Sequence, residues 1–139
     1  MDIANILIYK FPTSPFSVGE TYDSLLWLDK EIPKPTLSEL QSYEQETKNY
    51  YLIKDIERAI KELINDVAIQ RNYNGEQSLV GYFNSAVELW KNESIVYIAW
   101  RDSIWNYAFQ ELAKFQSGER EVASTEDFLK ELPLIVWPN

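Results

Sequence analysis

The chain contains neither cysteine nor histidine. Without cysteine there are no disulfides and no thiolate metal sites, and an unstapled chain of this kind suits a cytosolic protein. Without histidine, the usual general base near neutral pH and the commonest nitrogen ligand for metals are gone. Glycine is scarce: its four residues stand isolated at positions 19, 75, 81 and 118, so no Gly-rich phosphate loop can form. Positive charge is scarce too, with 13 basic residues against 22 acidic ones, a net charge of -9 and no basic run. Such a surface repels a phosphate backbone, so nucleic acid is not an expected partner. Apolar runs such as "SIVYIAW" fall far short of the ~20 residues that span a bilayer. The opening "MDIANILIYKFP" is too short and lacks the basic flank of a signal peptide. The expectation is a soluble chain with no membrane partner, no metal and no cofactor.

Catalytic sets are equally thin. Glu44 and Glu46, or Glu119 and Glu121, are two apart and would face different ways on a helix, so they read as solvated surface. Serines have no histidine to activate them. No enzyme activity is expected.

The residues present give a mainly α, α+β reading. Residues 3–11, "IANILIYKF", mix alternating and continuous apolar character and read as a short strand ending before Pro12. "PTSPFSVGET" reads as a loop, and "YDSLLWLD" as a second strand antiparallel to the first. After the extended connector "IPKPT", Thr36 and Glu39 have the spacing of a capping box and open a long helix. From Thr36 to about Tyr73 there is no Gly or Pro, which allows a helix of about 55 Å. A compact globule of this chain length is only about 37 Å across. The helix must therefore break, protrude or lie against a partner, and a bend or fray is expected near Thr47 to Tyr50. Ile53, Ile56, Ile60, Leu63 and Val67, widened by Ile64 and Ala68, form its apolar seam, whereas "YEQETKN" is polar nearly all round and is expected in solvent.

In the second half, Asn74-Gly75 supplies a turn, a short helix starts near Ser78, and a main helix runs from about Glu93 to Ser117 with Gly118 as its cap. Ser124 and Asp127 repeat the capping spacing before "TEDFLKEL", which Pro133 stops. The expected organisation is a small β-hairpin head with a Pro-rich connector (1–35), a long helix (36–73) and an aromatic-rich helical module (74–139).

That module carries most of the aromatic surface. Trp90, Trp100, Trp105, Tyr107, Phe109 and Trp137 lie within its last fifty residues. On a helix, Ile98, Trp105, Ala108, Leu112 and Phe115 fall on one stripe, and Trp100, Ile104, Tyr107 and Glu111 on a second. One stripe can pack on the 53–67 seam; the other needs cover from the segment after Pro133 or from another chain. Two readings stand side by side: all of it is core of a three-helix arrangement, or part of it is an interface, since Trp and Tyr are enriched at protein contacts. Arg101-Asp102, inside the aromatic helix, reads as a hydrogen-bonded strut tying two helices together.

A resemblance rests on these residues. "YDSLLWLDKEIPKPTLSELQ", with Trp27 and Pro35, resembles the "W…D…PKPT…EL" junction of XkdW-type prophage proteins, small proteins encoded beside tail-fibre genes. The second half is similar to the C-terminal module of tail-fibre assembly proteins of tailed phages: an "R-x-Y" opening, a "WRD-x-x-W-x-Y" helix, a Gly after it and a closing "LP-x-x-x-WP". Trp100, Arg101, Asp102, Trp105, Tyr107, Leu132, Pro133, Trp137 and Pro138 are the matching positions. The resemblance implies a non-enzymatic chaperone or accessory subunit whose partner is a tail-fibre protein. It would act in the bacterial host cytoplasm during assembly, with or without retention in the virion. Because fibres are usually trimeric, a homo-oligomer, a trimer, is expected, either of the chain alone or on the fibre. The rival expectations are a permanent structural component of the tail or baseplate, and a stand-alone small-ligand or host-interaction module.

Overall fold

A computed structural model describes residues 1–139. The element order is helix α1 (Ile3–Lys10), strand β1 (Phe16–Ser17), a 3-10 turn (Tyr22–Ser24), strand β2 (Leu26–Trp27), and helices α2 (Leu37–Gln70), α3 (Glu76–Val80), α4 (Glu88–Ser117) and α5 (Thr125–Lys130). This is an α+β, mainly α chain: a two-stranded antiparallel hairpin near the N-terminus precedes long helices. It divides into two compact units, Met1–Tyr51 and Leu52–Asn139, so α2 contributes to both.

In the first unit, residues 3–10 are a helix and not the expected strand. Asp2 caps it, its Oδ1 accepting the Asn5 N–H at 3.0 Å, and Ile3, Ile6 and Leu7 share the buried face. Their spacing of 3 and 1 is helical, and the cap satisfies backbone donors that a strand would have left to a neighbour. The first strand comes instead from the expected loop: Phe16 pairs with Trp27 and Ser17 with Leu26.

So small a hairpin is marginal alone. Side chains hold it. The Trp27 indole N–H donates to the Ile32 carbonyl at 2.7 Å, and Phe11 meets the Trp27 ring edge-on at 5.5 Å. Tyr22 donates its hydroxyl to the carbonyl of buried Pro35 at 2.7 Å. Asp29 gathers three donors: Ser14 Oγ at 2.7 Å and the N–H groups of Glu31 and Ile32 at 2.8 and 2.9 Å.

The expected capping box forms reciprocally. Glu39 N–H donates to Thr36 Oγ1 at 3.1 Å, and Thr36 N–H donates to Glu39 Oε2 at 2.8 Å. Downstream, two expectations fail together. The helix neither breaks nor frays near Thr47, and its polar stretch is not free in solvent. Helical α1 supplies the cover that a strand there would not: Tyr9 stacks on Tyr50 at 4.5 Å, and Lys10 bridges to Glu46 at 2.6 Å. Lys10 chiefly, then Tyr9, keeps the Glu46 carboxyl below its usual value. Leu40 and Thr47 are buried, and the Thr47 hydroxyl returns to the Tyr43 carbonyl at 2.8 Å.

In the second unit, α2 buries Ile53, Ile56, Ile60, Ile64 and Ala68, with Leu63 and Val67 partly covered. The seam is thus centred on Ile64 and Ala68, because cover comes from more than one side. The helix ends in a Schellman motif: Tyr73 N–H donates to the Ala68 carbonyl at 3.1 Å and Asn72 N–H to Ile69 at 2.9 Å. The left-handed residue is Asn72 (φ 70°), one of the few residue types that tolerate it, and Gly75 follows at φ 138°; Asn74 is not in that region. A Cβ on Gly75 would lie 2.7 Å from Asn65 Oδ1, the oxygen that accepts the Glu76 N–H opening α3. Helix α3 begins before Ser78, and α4 begins at Glu88, one turn and more ahead of expectation. Gly118 (φ 80°) ends α4 and Ser124 Oγ caps α5 through the Asp127 N–H at 3.2 Å, both as expected. No helix is long and apolar enough to cross a membrane.

One prediction follows from Asp29. The Ile32 N–H first, then Ser14 and the Glu31 N–H, lower its carboxyl below the usual value. A depressed folded pKa contributes stability that is present above the unfolded value and lost as pH falls through the folded one. Urea midpoints should therefore fall on acidification through the carboxylate range. Asp29→Asn should lower stability near neutrality and flatten that acid slope; an unchanged slope would remove Asp29 from the account.

Candidate functional site

The aromatic helix buries one line of residues, not two. Tyr97, Trp100, Ile104, Ala108, Leu112 and Phe115, spaced 3, 4, 4, 4 and 3, face the core. This line takes Trp100 and Ile104 from one expected stripe and Ala108, Leu112 and Phe115 from the other, and turns Ile98 and Trp105 toward the surface. The reason is Tyr97, absent from both expected stripes. It is fully buried, and its hydroxyl donates to the Ile64 carbonyl at 2.6 Å, which sets the rotation of α4 against α2. Burial chiefly, and then the charge of Glu76, drives its hydroxyl pKa up, so it stays a neutral donor.

The cover for Trp100 is the segment that follows α5. The Trp100 indole N–H donates to the Pro133 carbonyl at 2.8 Å, and the ring is only 8 % exposed. Trp137 stacks on Tyr97 with centroids 6.4 Å apart and planes 5° from parallel, and Arg71 lies 4.9 Å over the Trp137 ring. Arg71 is fixed in turn by Glu93, whose carboxylate accepts from Arg71 Nε and, at 3.5 Å, from the Tyr73 hydroxyl. Glu93 is buried, so its charge, costly to desolvate alone, is offset by the Arg71 guanidinium, and the Tyr73 hydroxyl adds a long hydrogen bond.

A second network anchors α5. Arg120 reaches Glu131 at 2.7 and 2.8 Å and Glu111 at 2.6 Å, while Tyr107 donates its hydroxyl to Glu131 at 2.8 Å.

These contacts leave a groove of about 410 Å³, walled by Leu63, Val67, Trp100, Leu129, Leu132 and Trp137 and flanked by Leu134 and Ile135, with Gln70 and Arg71 among its polar members. Along it, exposure alternates. It does so over residues 134–137, where Leu134 (90 %) and Val136 (82 %) are exposed and Ile135 and Trp137 half-buried; buried Leu132 precedes this repeat and is out of phase with it. Period-two alternation is that of an extended chain. The main-chain N–H groups of residues 134–137 make no hydrogen bond to the rest of the chain. Geometrically, the segment is an open edge with two outward apolar side chains.

The expected contact residues therefore separate into four places. Trp100 and Trp137 meet around segment 132–138 beside Pro133, and Trp100 belongs to the core rather than to exposed surface. Tyr107 lies against α5, on Phe128 and Glu131. Trp105 and Phe109 stack on each other at 5.5 Å on the far side, Phe109 being 63 % exposed. Trp90, 42 % exposed, stands apart beside Tyr82 at 5.3 Å. Arg101-Asp102 is not the expected strut: both lie on α4, and Asp102 is exposed. The acid that ties Arg101 to another helix is Glu76 of α3, at 3.4 Å.

Sequence reading passed over Glu93, Leu134 and Val136. The "R-x-Y" pattern pointed at Arg71 and Tyr73 without naming their acid. No group of three or more acidic side chains is arranged to hold a metal ion.

Truncation should separate these roles. Trp100→Ala leaves a cavity and should cost ~3–5 kcal/mol, whereas Leu134→Ser should change stability by less than ~0.5 kcal/mol. Arg71→Met strands the Glu93 carboxylate; because Arg71 is itself partly in solvent, a loss of about 2 kcal/mol is expected, below the ~3–5 kcal/mol of a fully buried pair. Urea denaturation measures all three. A Trp100→Ala loss no larger than that of Leu134→Ser would contradict the core assignment.

Compared with known proteins, the chain matches no family model, no curated protein and no solved structure.

Proposed function

We propose that this chain is a non-enzymatic assembly factor for a tail-fibre protein of a tailed phage, acting as a stoichiometric chaperone or accessory subunit. The reading starts from the "WRD-x-x-W-x-Y … LP-x-x-x-WP" resemblance. The observation that carries it is segment 132–138, whose matching residues Trp100, Pro133 and Trp137 hold an unpaired backbone edge open with Leu134 and Val136 facing outward. Fibre chains rich in β-structure expose unpaired edges and apolar faces while they search for register, and such surfaces aggregate. An added strand is the partner that an open edge suits, with main-chain bonds giving affinity and alternate side chains giving selectivity. The acidic surface keeps the free factor soluble and away from nucleic acid during assembly in the host cytoplasm.

Co-expression tests this. The fibre protein of the same phage is produced with and without this chain, and soluble fibre and co-purification are measured. The chain should raise soluble fibre several-fold and co-elute with it. The double variant Leu134→Asp, Val136→Asp should keep the wild-type thermal unfolding and lose both effects. Fibre that folds unaided and never associates with the chain would overturn the proposal. Presence in every purified virion without any rescue of fibre solubility would identify a permanent tail component instead.

A further inference from the structure

Helix α4 carries a second repeat that the core does not use. Ile95, Ile98, Asp102, Trp105 and Phe109 are spaced 3, 4, 3 and 4, the register of a helix-to-helix seam. Ile95, 48 % exposed, and Phe109 mark its ends, with Ile98 and Trp105 half-buried between them. At the 100° step of an α-helix this line lies about a third of a turn from the buried one. Beside it is an open groove of about 550 Å³ that adds Glu57 and Lys61 of α2 and Glu76 of α3 to Arg101, Asp102 and the Trp105–Phe109 stack.

We infer that this face is the self-association surface of the chain: two copies pack α4 against α4, antiparallel, about a two-fold axis passing between Asp102 and Trp105. The seven-residue spacing selects a helix as the occupant. The polar groups select a second copy and its direction. Asp102 uses Oδ1 to accept from Arg101 Nε and Nη2, at 3.1 and 3.0 Å, and Oδ2 accepts nothing from the chain. The Trp105 indole N–H has no acceptor in the chain, in contrast to those of Trp27 and Trp100.

Antiparallel seams place the first apolar position of one helix against the second of the other. Asp102 then faces Trp105 of the second copy, and Ile98 faces Phe109. The idle donor meets the idle acceptor twice by symmetry. A parallel pair would set Asp102 against its own copy, two like charges in one layer.

The groove completes the match. Lys61 has no acid within ion-pair distance in its own chain, and Glu57, Glu76 and Asp102 are carboxylates a second copy would bring to it. A patch holding both signs is what a two-fold contact requires, because it must complement itself.

Sedimentation velocity of the full chain alone, at low ionic strength and over a wide range of concentration, tests the inference. Wild type should shift from one to two chain masses as concentration rises. Phe109→Glu, at an exposed site, should stay at one mass with unchanged thermal unfolding. Because the native chain lacks cysteine, engineered thiols report direction. Under oxidation, Ile98→Cys alone and Phe109→Cys alone should not cross-link, whereas an equimolar mixture of the two should. A wild type that remains monomeric throughout, a trimer, a Phe109→Glu variant that pairs like wild type, or single variants that cross-link with themselves would each overturn the inference. No fibre is present in these measurements, and Leu134→Asp, Val136→Asp should pair normally, so failure here is distinct from failure of the fibre-binding proposal.

Discussion

The bond from the Trp100 indole N–H to the Pro133 carbonyl determines where segment 132–138 runs. Without it the largest ring of the second core would lie open on one side, and Trp137 would have no fixed approach to Tyr97. With it, a stretch that has no helical or sheet partner is held against α4 by one polar contact and one stack. Three features of that unit depend on this placement: Arg71 has a ring to cover, the groove has a wall, and Leu134 and Val136 point away. Buried aromatic rings with a satisfied polar tip combine large apolar area with a fixed orientation. Trp100 and Tyr97 both work in this way, each with its hydrogen bond to a main-chain carbonyl.

The same device recurs in the first unit on a smaller scale. Trp27 and Tyr22 cap carbonyls at Ile32 and Pro35, and Asp29 collects donors from three directions. A two-residue ladder contributes little by itself; side-chain bonds to the backbone fix the connector, so the hairpin is positioned by what surrounds it. The "W…D…PKP" pattern is in this sense a set of backbone clamps. Charge plays the subordinate part: of the ion pairs, the one between Arg71 and Glu93 has a buried acid, and most of the others lie at the surface, where such pairs contribute little.

How much of this could be read from the amino acids depended on range. Local chemistry was legible: the Thr36–Glu39 and Ser124–Asp127 caps, the Gly118 terminus and the isoleucine seam all depend on residues within a turn or two of one another. Helix α1 was misread because alternation was given more weight than the Asp2 cap and the Ile3, Ile6, Leu7 spacing. The polar half of α2 then had nothing to lie against, and its contacts with Tyr9 and Lys10 went unforeseen. On α4 the rings lie all round the helix, so pattern alone could not set its rotation; Tyr97 and its bond to Ile64 did. Glu93 was invisible for a different reason. Its partners are twenty and twenty-two residues away, and only folding brings them together.

The two prolines that bracket residues 134–137 set a length. Proline offers no N–H, and the Pro133 carbonyl is already occupied by Trp100. Successive N–H groups of an extended chain point to opposite sides, so of the four available only about two can join any one neighbouring strand. A guest strand would gain a short ladder there and could not lengthen it. Under the proposed function that ceiling is useful. On that proposal the client's own strands, once in register, would form longer ladders and outcompete the guardian, and hand-over would require no nucleotide and no motor.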